Sequence, residues 1–342
     1  MPPRKDTRMS SKKAALIFNA PTEGRYSRLG ENKAELGVLD AVKAVNRALI
    51  RLGYTVEKIP LYPPLEQVRE IIKGIKADIV FNLFEGFMDL PETEPQVAEI
   101  VAGLGIPYTG CPPSILRQAL DKASTKAMLT AKGVRTPRYQ TLNPENLSTF
   151  KLDFPCIVKP KGEDASHGVS ENSVVNDTDA LARQVNLVSR EYGGCALVEE
   201  FVDGREFNIT VLGTKQLDVL PISEIVFNLP PGMPKILTFG AKWEPTSPYF
   251  DATKAVCPAK IDPELRDEIG RIARQTFAIV GGSGYARVDF RVNEKGPQVI
   301  EVNPNPDISP GTGAARQAKA SGLTYFKFID KLIELALLRE SR

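Results

Sequence analysis

Between residues 14 and 81 the chain alternates short apolar runs with amphipathic stretches, and this alternation narrows the fold more than any other feature. Residues 14–18, 55–59 and 78–81 are short, apolar and bounded by polar or glycine-containing loops, so they read as strands. Residues 35–52, closed by Gly53, and residues 65–76 carry the spacing of amphipathic helices. Strand, helix and strand in that order predict a parallel α/β sheet, whose strand-end loops usually carry ligands. Residues 19–33 and 82–94 are those loops here.

Beyond this unit the pattern changes. A helix is expected over 94–104, and the Pro-Arg-Tyr-Gln segment after Val134 marks a boundary. Residues 154–160 form a strand ending at Lys159, and residues 196–202 and 206–212 read as a second strand pair. The proline-rich stretch 228–234 is too irregular for a core element and is expected to be a mobile loop. A helix over 263–280, two strands at 285–290 and 297–303, and a helix over 324–339 complete the chain. The expected division is a basic tail (1–13), an N-terminal α/β domain (14–120), a central subdomain (121–215) and a C-terminal subdomain (216–342).

Composition removes whole classes of function. The 342 residues carry 44 Lys and Arg against 42 Asp and Glu, a net charge of +2, so no global field points to nucleic acid or an anionic membrane. The basic first 13 residues have no apolar segment after them, which fits a disordered tail rather than a signal peptide, and no stretch is apolar enough to span a bilayer. Cys111, Cys156, Cys195 and Cys257 are scattered without a C-x-x-C pair, which argues against zinc and a disulfide framework and for a reducing cytoplasm. A single histidine, His167, rules out an H-E-x-x-H metal site and argues against a Ser-His-Asp triad.

The chemistry concentrates near the end. Arg287-Val-Asp289 and Glu301-Val-Asn303 lie on two short apolar runs, and period-two spacing puts Glu301 and Asn303 on one strand face, where Asp289 can join them from a neighbouring strand. Two carboxylates and an amide form a hard-cation site of the kind magnesium shares with substrate phosphates. Standing alone, an E-x-N pattern would more often be a solvated sheet face. Lys159 ends an apolar strand just before Lys161-Gly-Glu-Asp-Ala-Ser-His-Gly168, where its ammonium can neutralise phosphates covered by the backbone N–H groups of Gly162–Gly168. This is not a Walker A loop, because Val169 stands where lysine is required. Ala196-Leu-Val-Glu-Glu-Phe-Val202 suits an adenine edge, with Glu199, Glu200 and Glu206 as acceptors for the amine and ribose, although two adjacent glutamates also fit a solvent-facing strand end.

In order and spacing, Leu120-Asp-Lys122, Ile157-Val-Lys159-Pro, Lys161 to Gly168, Leu197-Val-Glu-Glu200, Gly204-Arg-Glu206, Ala241-Lys242, Ala286-Arg-Val-Asp289 and Ile300-Glu-Val-Asn303 resemble the ATP-grasp ligases, specifically the D-alanine–D-alanine ligase group. Gly105-Ile-Pro-Tyr-Thr-Gly110 is similar to that group's first domain. The resemblance implies a parallel α/β preATP-grasp domain followed by a two-lobed α+β ATP-grasp fold. It implies ATP and two magnesium ions, with manganese acceptable in their place, and small amino acid or carboxylate substrates. It also implies a homodimer and a part in cell-wall peptidoglycan synthesis.

Carried onto matching positions, Lys122 and Lys159 bind the α- and β-phosphates, and the loop with Gly162, Ser166, His167 and Gly168 closes over the triphosphate. Glu199, Glu200 and Val202 meet adenine, Glu206 the ribose and Lys242 the γ-phosphate. Asp289, Glu301 and Asn303 hold the metals, and Arg287 stabilises the transferred phosphoryl group. Glu35 or Glu31 receives a substrate amino group, Gly311 and Gly313 serve a tetrahedral oxyanion, and Ser309 and Thr312 bind the second substrate's carboxylate. The implied reaction is attack of a carboxylate on the γ-phosphate to give an acylphosphate, then attack of an amine to give an amide.

The substrate residues match less well than the ATP residues. The family's histidine-glycine pair is replaced by Phe84-Glu85-Gly86, its lid serine by Ala165, and the partner tyrosine by Trp243. After Asn303, Pro-Asn-Pro-Asp-Ile-Ser309-Pro-Gly311 departs from the family's shorter turn. Three readings follow: a D-alanine ligase, a related ligase joining another acid to an amine, and a nucleotide-binding protein without ligase turnover.

Overall fold

The computed structural model describes residues 12–21, 25–30, 37–87 and 90–340. Strands β1 (Lys13–Asn19), β2 (Thr55–Leu61) and β3 (Ile79–Leu83) form a parallel sheet in the order β2-β1-β3. Alternate residues of β1 enter different cores, as a sheet covered on both faces requires. After the short helix α1 (Arg25–Leu29), helix α2 (Val38–Arg51) packs Val42, Val45 and Leu49 with Ala14, Leu16 and Phe18. Ala15 and Ile17 pack with Val68 and Ile72 of α3 (Leu65–Lys73) and Val97 and Val101 of α4 (Thr93–Ala102). Helix α5 (Pro113–Leu120) and helix α6 (Lys122–Ala131) then lead out of this unit.

The central sheet runs β4-β7-β5-β6, from strands β4 (Tyr139–Leu142), β5 (Cys156–Pro160), β6 (Val174–Val175) and β7 (Ala196–Glu200), all antiparallel. Helix α7 (Thr178–Glu191) closes its core through Leu181, Val185 and Val188. The C-terminal sheet runs β11-β10-β8-β12-β13, with β9 (Leu217–Val219) beside β8 (Arg205–Gly213). Its other strands are β10 (Ser223–Phe227), β11 (Thr253–Val256), β12 (Gly284–Asn293) and β13 (Gly296–Pro304). The short helices α8 (Phe239–Trp243) and α9 (Pro248–Ala252) stand beside it, and α10 (Pro263–Ile279) buries Ile269, Ala273 and Phe277 against it. Helix α11 (Gly313–Ala320) docks on β8 through Gln317, whose amide accepts from Thr210 N and donates to Asn208 and Ser223.

Two expectations change. The segments at 196–202 and 206–212 are not a strand pair: β7 pairs with β4 and β5, whereas β8 pairs with β10 and β12. The expected boundary at 215–216 therefore falls inside the C-terminal sheet, and the chain changes sheets at residues 201–204 instead. Gly204 permits the change, because a Cβ there would lie 2.2 Å from the carbonyl oxygen of Val292. Nor does the final helix stay with its own subdomain. Helix α12 (Tyr325–Glu340) inserts Phe328, Ile329, Leu332 and Ile333 into the core that holds Leu16 and Phe81. The proline-rich stretch has no regular structure, but its end is anchored, with Ile236 buried and Pro234 O accepting from Tyr249 Oη.

The expected tail at 1–13 lies almost wholly outside the described residues, as do Glu31 and Glu35. Among the described residues no helix is long and apolar enough to cross a membrane. Gly204→Ala is expected to lower stability by about 1–3 kcal/mol, the usual cost of overpacking against fixed backbone. Equilibrium urea unfolding checks it, and an unchanged midpoint contradicts the close approach.

Candidate active site

The β12–β13 register sets Asp289 opposite Glu301 and Arg287 opposite Asn303, with a bulge just after Asp289. Arg287 grips Asp289 as a fork, Nε donating to Oδ1 at 2.7 Å and Nη2 to Oδ2 at 2.8 Å. Asn303 Nδ2 donates to Asp289 Oδ2 at 3.1 Å, so the three expected metal positions are brought together. Glu301 lies 3.3 Å from Lys122 Nζ. Burial pushes the Glu301 carboxyl up, but Lys122, Lys159, Arg287 and Lys242 outweigh it and hold it well below the usual carboxylate range. Glu301 is thus an anion wherever magnesium would need one. Two carboxylates and an amide fit a hard cation that keeps positions for water and phosphate. Among the described residues no group of three or more His, Cys, Asp or Glu could hold a metal unaided.

Lysines arrive from three directions. Asp121 caps α6 by accepting from Ser124 N at 2.9 Å, which points Lys122 into the cleft at the first turn. Lys122 Nζ donates to Glu163 O at 2.6 Å and Asp164 Oδ1 at 2.8 Å, and so fastens the glycine loop. Lys159, at the end of β5, reaches Glu199 Oε2 at 2.7 Å. Lys242 comes from α8; burial first, then the like charge of Arg287, lowers its pKa below the lysine norm.

The loop itself turns through left-handed conformations at Ala165, Ser166 and Gly168, with φ of 53°, 65° and 71°. A Cβ at Gly168 would meet Pro160 Cγ at 2.7 Å and Tyr192 Cε2 at 2.8 Å, so only glycine suits that position. Ser166 Oγ donates to Leu237 O at 2.9 Å, and the buried His167 ring lies 5.4 Å from that of Phe239. Ala165 and Trp243, the two lid departures, flank this contact, and Trp243 stacks 6.5 Å from Phe239. Gly162 has no atom within 4 Å of a built Cβ and serves the turn by its backbone.

Lys122, Lys159, Ser166, His167, Lys242, Arg287, Asp289 and Glu301 line one cleft. Its far end is apolar, walled by Ile157, Val169, Phe201, Val202, Ile236 and Leu237. Glu206 lines it too and pairs with Arg291 at 2.7 Å; burial raises the Glu206 pKa against the pull of Arg291. Glu199 and Glu200 differ from the expected adenine acceptors. Glu199, 2% exposed, has Lys159 on one oxygen and Lys126 on the other at 2.5 Å, although the latter's angles are poor for a hydrogen bond. Burial raises the Glu199 carboxyl, but both lysines outweigh it and the pKa falls; Lys126 shares that carboxylate with Lys159, so burial prevails and its own pKa falls as well. Glu200 also lines the cleft and pairs with Arg138 at 2.7 Å.

The acceptor end is only partly as expected. Thr312 Oγ1 is committed inside its own turn, donating toward Asp307 O and Ser309 O at 2.9 and 2.8 Å, so its hydroxyl proton is not offered outward. Ser309 Oγ is buried and has no hydrogen-bond partner among the described residues. Gly311 O accepts from Arg316 at 2.6 Å, and Gly313 abuts Arg287, a built Cβ lying 3.6 Å from its Cδ. Facing this turn from the first domain are Glu85 and Glu94. Solvent reaches Glu85, yet it is crowded enough that burial, then Asp307 and Asp164, push its carboxyl up to about 8. Burial, Asp164 and Glu85 likewise raise Glu94, against a hydrogen bond from Asn305.

Sequence reasoning missed Lys126 and Arg291. Both were within reach of a spacing argument: Lys126 is one helical turn beyond Lys122, and Arg291 continues the face of Arg287 and Asp289 at period two.

Comparison with known proteins bears on the whole chain. The family model described as D-ala D-ala ligase C-terminus matches residues 128–334. Uncharacterized protein y4sG of Sinorhizobium fredii is 33% identical over 266 residues, which are 76% of this chain and 75% of that protein. A D-alanine–D-alanine ligase of Carboxydothermus hydrogenoformans is 29% identical over 307 residues, 86% of this chain and 91% of the relative. The crystal structure of D-alanine–D-alanine ligase from Bacillus anthracis complexed with ATP superposes with a TM-score of 0.73 at 20% identity, covering 97% of this chain and 99% of that one, and shares the fold. A family match that spans more than half of the chain decides membership: this protein belongs to the D-alanine–D-alanine ligase family of ATP-grasp ligases.

Proposed function

We propose that this chain uses ATP to join the carboxylate of one amino acid to the amine of another through an acylphosphate. The observation that carries this reading is the convergence, at one end of the cleft, of Lys122, Lys159, Lys242 and Arg287 with the oxygens of Asp289, Glu301 and Asn303. Phosphoryl transfer asks a protein for placement and positive charge, and preorganised cations act most strongly where water is excluded. Asp289, Glu301 and Asn303 would hold magnesium, which neutralises phosphate charge when bound. The apolar end with Val202, Ile236 and Leu237 takes the purine, and Glu206, steadied by Arg291, takes the ribose.

In the second step the attacking amine adds to the acyl carbonyl, and inorganic phosphate leaves with the electron pair of the broken C–O bond. Gly313, beside Arg287 at the start of α11, places backbone N–H groups near that carbonyl. D-alanine, the substrate named for the ligases of Carboxydothermus hydrogenoformans and Bacillus anthracis, is the first to test. A second reading is favoured by the crowding of Glu85, Glu94 and Asp307: burial and mutual repulsion make Glu85 and Glu94 hold their protons, and an additional ammonium group on the substrate would take the place of such a proton by pairing with the carboxylate it leaves. The four free cysteines are consistent with a cytoplasmic enzyme.

Glu301→Gln keeps the shape of the side chain and removes its charge, and is expected to lower magnesium-dependent kcat about 100-fold or more. Normal turnover in that variant would remove Glu301 from the phosphoryl-transfer site. Substrate identity is checked by phosphate release and product mass, with D-alanine alone, with other D- and L-amino acids, and with amino acids that carry a basic side chain. The ligase reading expects ATP cleavage stimulated by at least one pair; ATP affinity without stimulation by any pair would leave a nucleotide-binding protein. If basic side chains are preferred, Glu85→Gln is expected to raise their KM severalfold and leave that of alanine nearly unchanged.

A further inference from the structure

Behind the wall of the cleft, Lys126 is the most deeply buried lysine among the described residues. Its side chain is 4% exposed, against 6% for Lys122 and 14% for Lys159. It leaves α6 on the same face as Lys122, four residues further on. The two lysines divide their work: Lys122 reaches Glu301 on β13 at 3.3 Å, and Lys126 reaches Glu199 on β7 at 2.5 Å. Helix α6 is thus pinned at once to the central and the C-terminal sheet. Glu199 in turn holds Lys159 through its other oxygen at 2.7 Å, so one buried carboxylate sets the position of two ammonium groups from different elements.

This arrangement has a consequence for a polyanion entering the cleft. Lys159 can give its ammonium to a phosphate only by sharing or leaving Glu199. Were Lys159 the sole partner, its departure would leave a buried carboxylate without a counter-charge beside an incoming triphosphate, and both desolvation and repulsion would oppose binding. Lys126 removes that penalty, because Glu199 keeps one ammonium whatever Lys159 does. We propose that Lys126 is a positioning residue of the nucleotide site, which neutralises Glu199 so that Lys159 is free to engage phosphate and returns to a fixed place. The inference rests on the ATP-dependent reading above.

Lys126→Met keeps the apolar stem and removes the charge. Measured on the full chain by titration with ATP and by steady-state kinetics, it is expected to raise the ATP Kd and KM about tenfold, the scale of one lost charge-assisted contact. The KM of the amino acid substrate stays within about twofold, since that subsite makes no use of Glu199, and Lys126→Arg restores most of the loss. Glu199→Gln supplies the second measurement: in that background the charge to be neutralised is gone, so adding Lys126→Met changes ATP affinity less than about twofold. That comparison remains readable even if the single methionine variant folds poorly. A purely structural role predicts a lower melting temperature with unchanged ATP affinity, or equal losses in both backgrounds, and either result overturns the inference. Wild-type protein that binds no ATP would instead overturn the reading on which it rests.

Discussion

Buried charges that must all find partners are the constraint on which the rest of this structure depends. Glu199, Glu206 and Glu301 each meet a cation carried by a different element: Lys126 and Lys159 from α6 and β5, Arg291 from β12, and Lys122 from α6. Removing one partner of such a pair typically costs roughly 3–5 kcal/mol, because the other charge is left in low dielectric. Apolar contacts join the first and C-terminal sheets through the core that holds Leu16, Tyr285 and Phe328, but being non-directional they do not by themselves set how the central sheet faces them. The pairs made by α6 do, since Lys122 with Asp164 and Glu301, and Lys126 with Glu199, are satisfied together in one placement of α6, the glycine loop and the two sheets. Aliphatic residues of matching shape could replace them with little loss of stability, which makes specificity of arrangement the better account of their presence.

The same pairs shape the chemistry. Arg287 is bound through Nε and Nη2 to Asp289, and its Cδ lies beside Gly313, so it has little freedom to reorganise. A cation fixed before the reaction begins stabilises developing phosphoryl charge without the reorganisation that water would need. Arg291 is held equally firmly, accepted by Gly204 O at 3.1 Å and Lys235 O and placed over the Phe201 and Phe227 rings, 5.6 Å from each. The cationic groups of the cleft are therefore built largely on one strand, β12, whose alternation presents Arg287, Asp289 and Arg291 on one face.

What the sequence disclosed was whatever is decided locally. Period two on 285–290 and 297–303 was sufficient for Asp289, Glu301 and Asn303, because a hairpin of antiparallel strands brings its own residues together. The alternation at the start of the chain was sufficient for the parallel sheet. Strand partnership was not readable where the chain changes sheets: residues 196–202 and 206–212 are adjacent and both apolar, and only the contact of Gly204 with Val292, far along the chain, separates them. The role of Glu199 was hidden for a similar reason. Its neighbours in sequence say strand end; its neighbours in space are two lysines from other segments. Helix α12 shows the same limit, since its apolar stripe announces burial but not that it packs on the first domain.

The acceptor end follows from this long-range assembly. Asn305, in a left-handed conformation with φ of 48°, accepts from Cys111 N at 2.6 Å and hydrogen-bonds Glu94, so the segment after the metal strand is fastened to the first domain. The last turn of α12 fastens the opposite side: Arg339 donates to Gly110 O at 2.6 Å and lies 3.9 Å from the Tyr108 ring centroid. Residues 105–111 are thereby clamped between the segment that follows Asn303 and the final helix. Glu94 cannot shift without straining its bond to Asn305, Glu85 N donates to Asn19 Oδ1 at 3.2 Å, and Asp307 is tied to Ser309 N at 2.7 Å. The two stretches that depart from the family pattern, at 84–86 and 304–313, therefore change one shared wall rather than two separate loops.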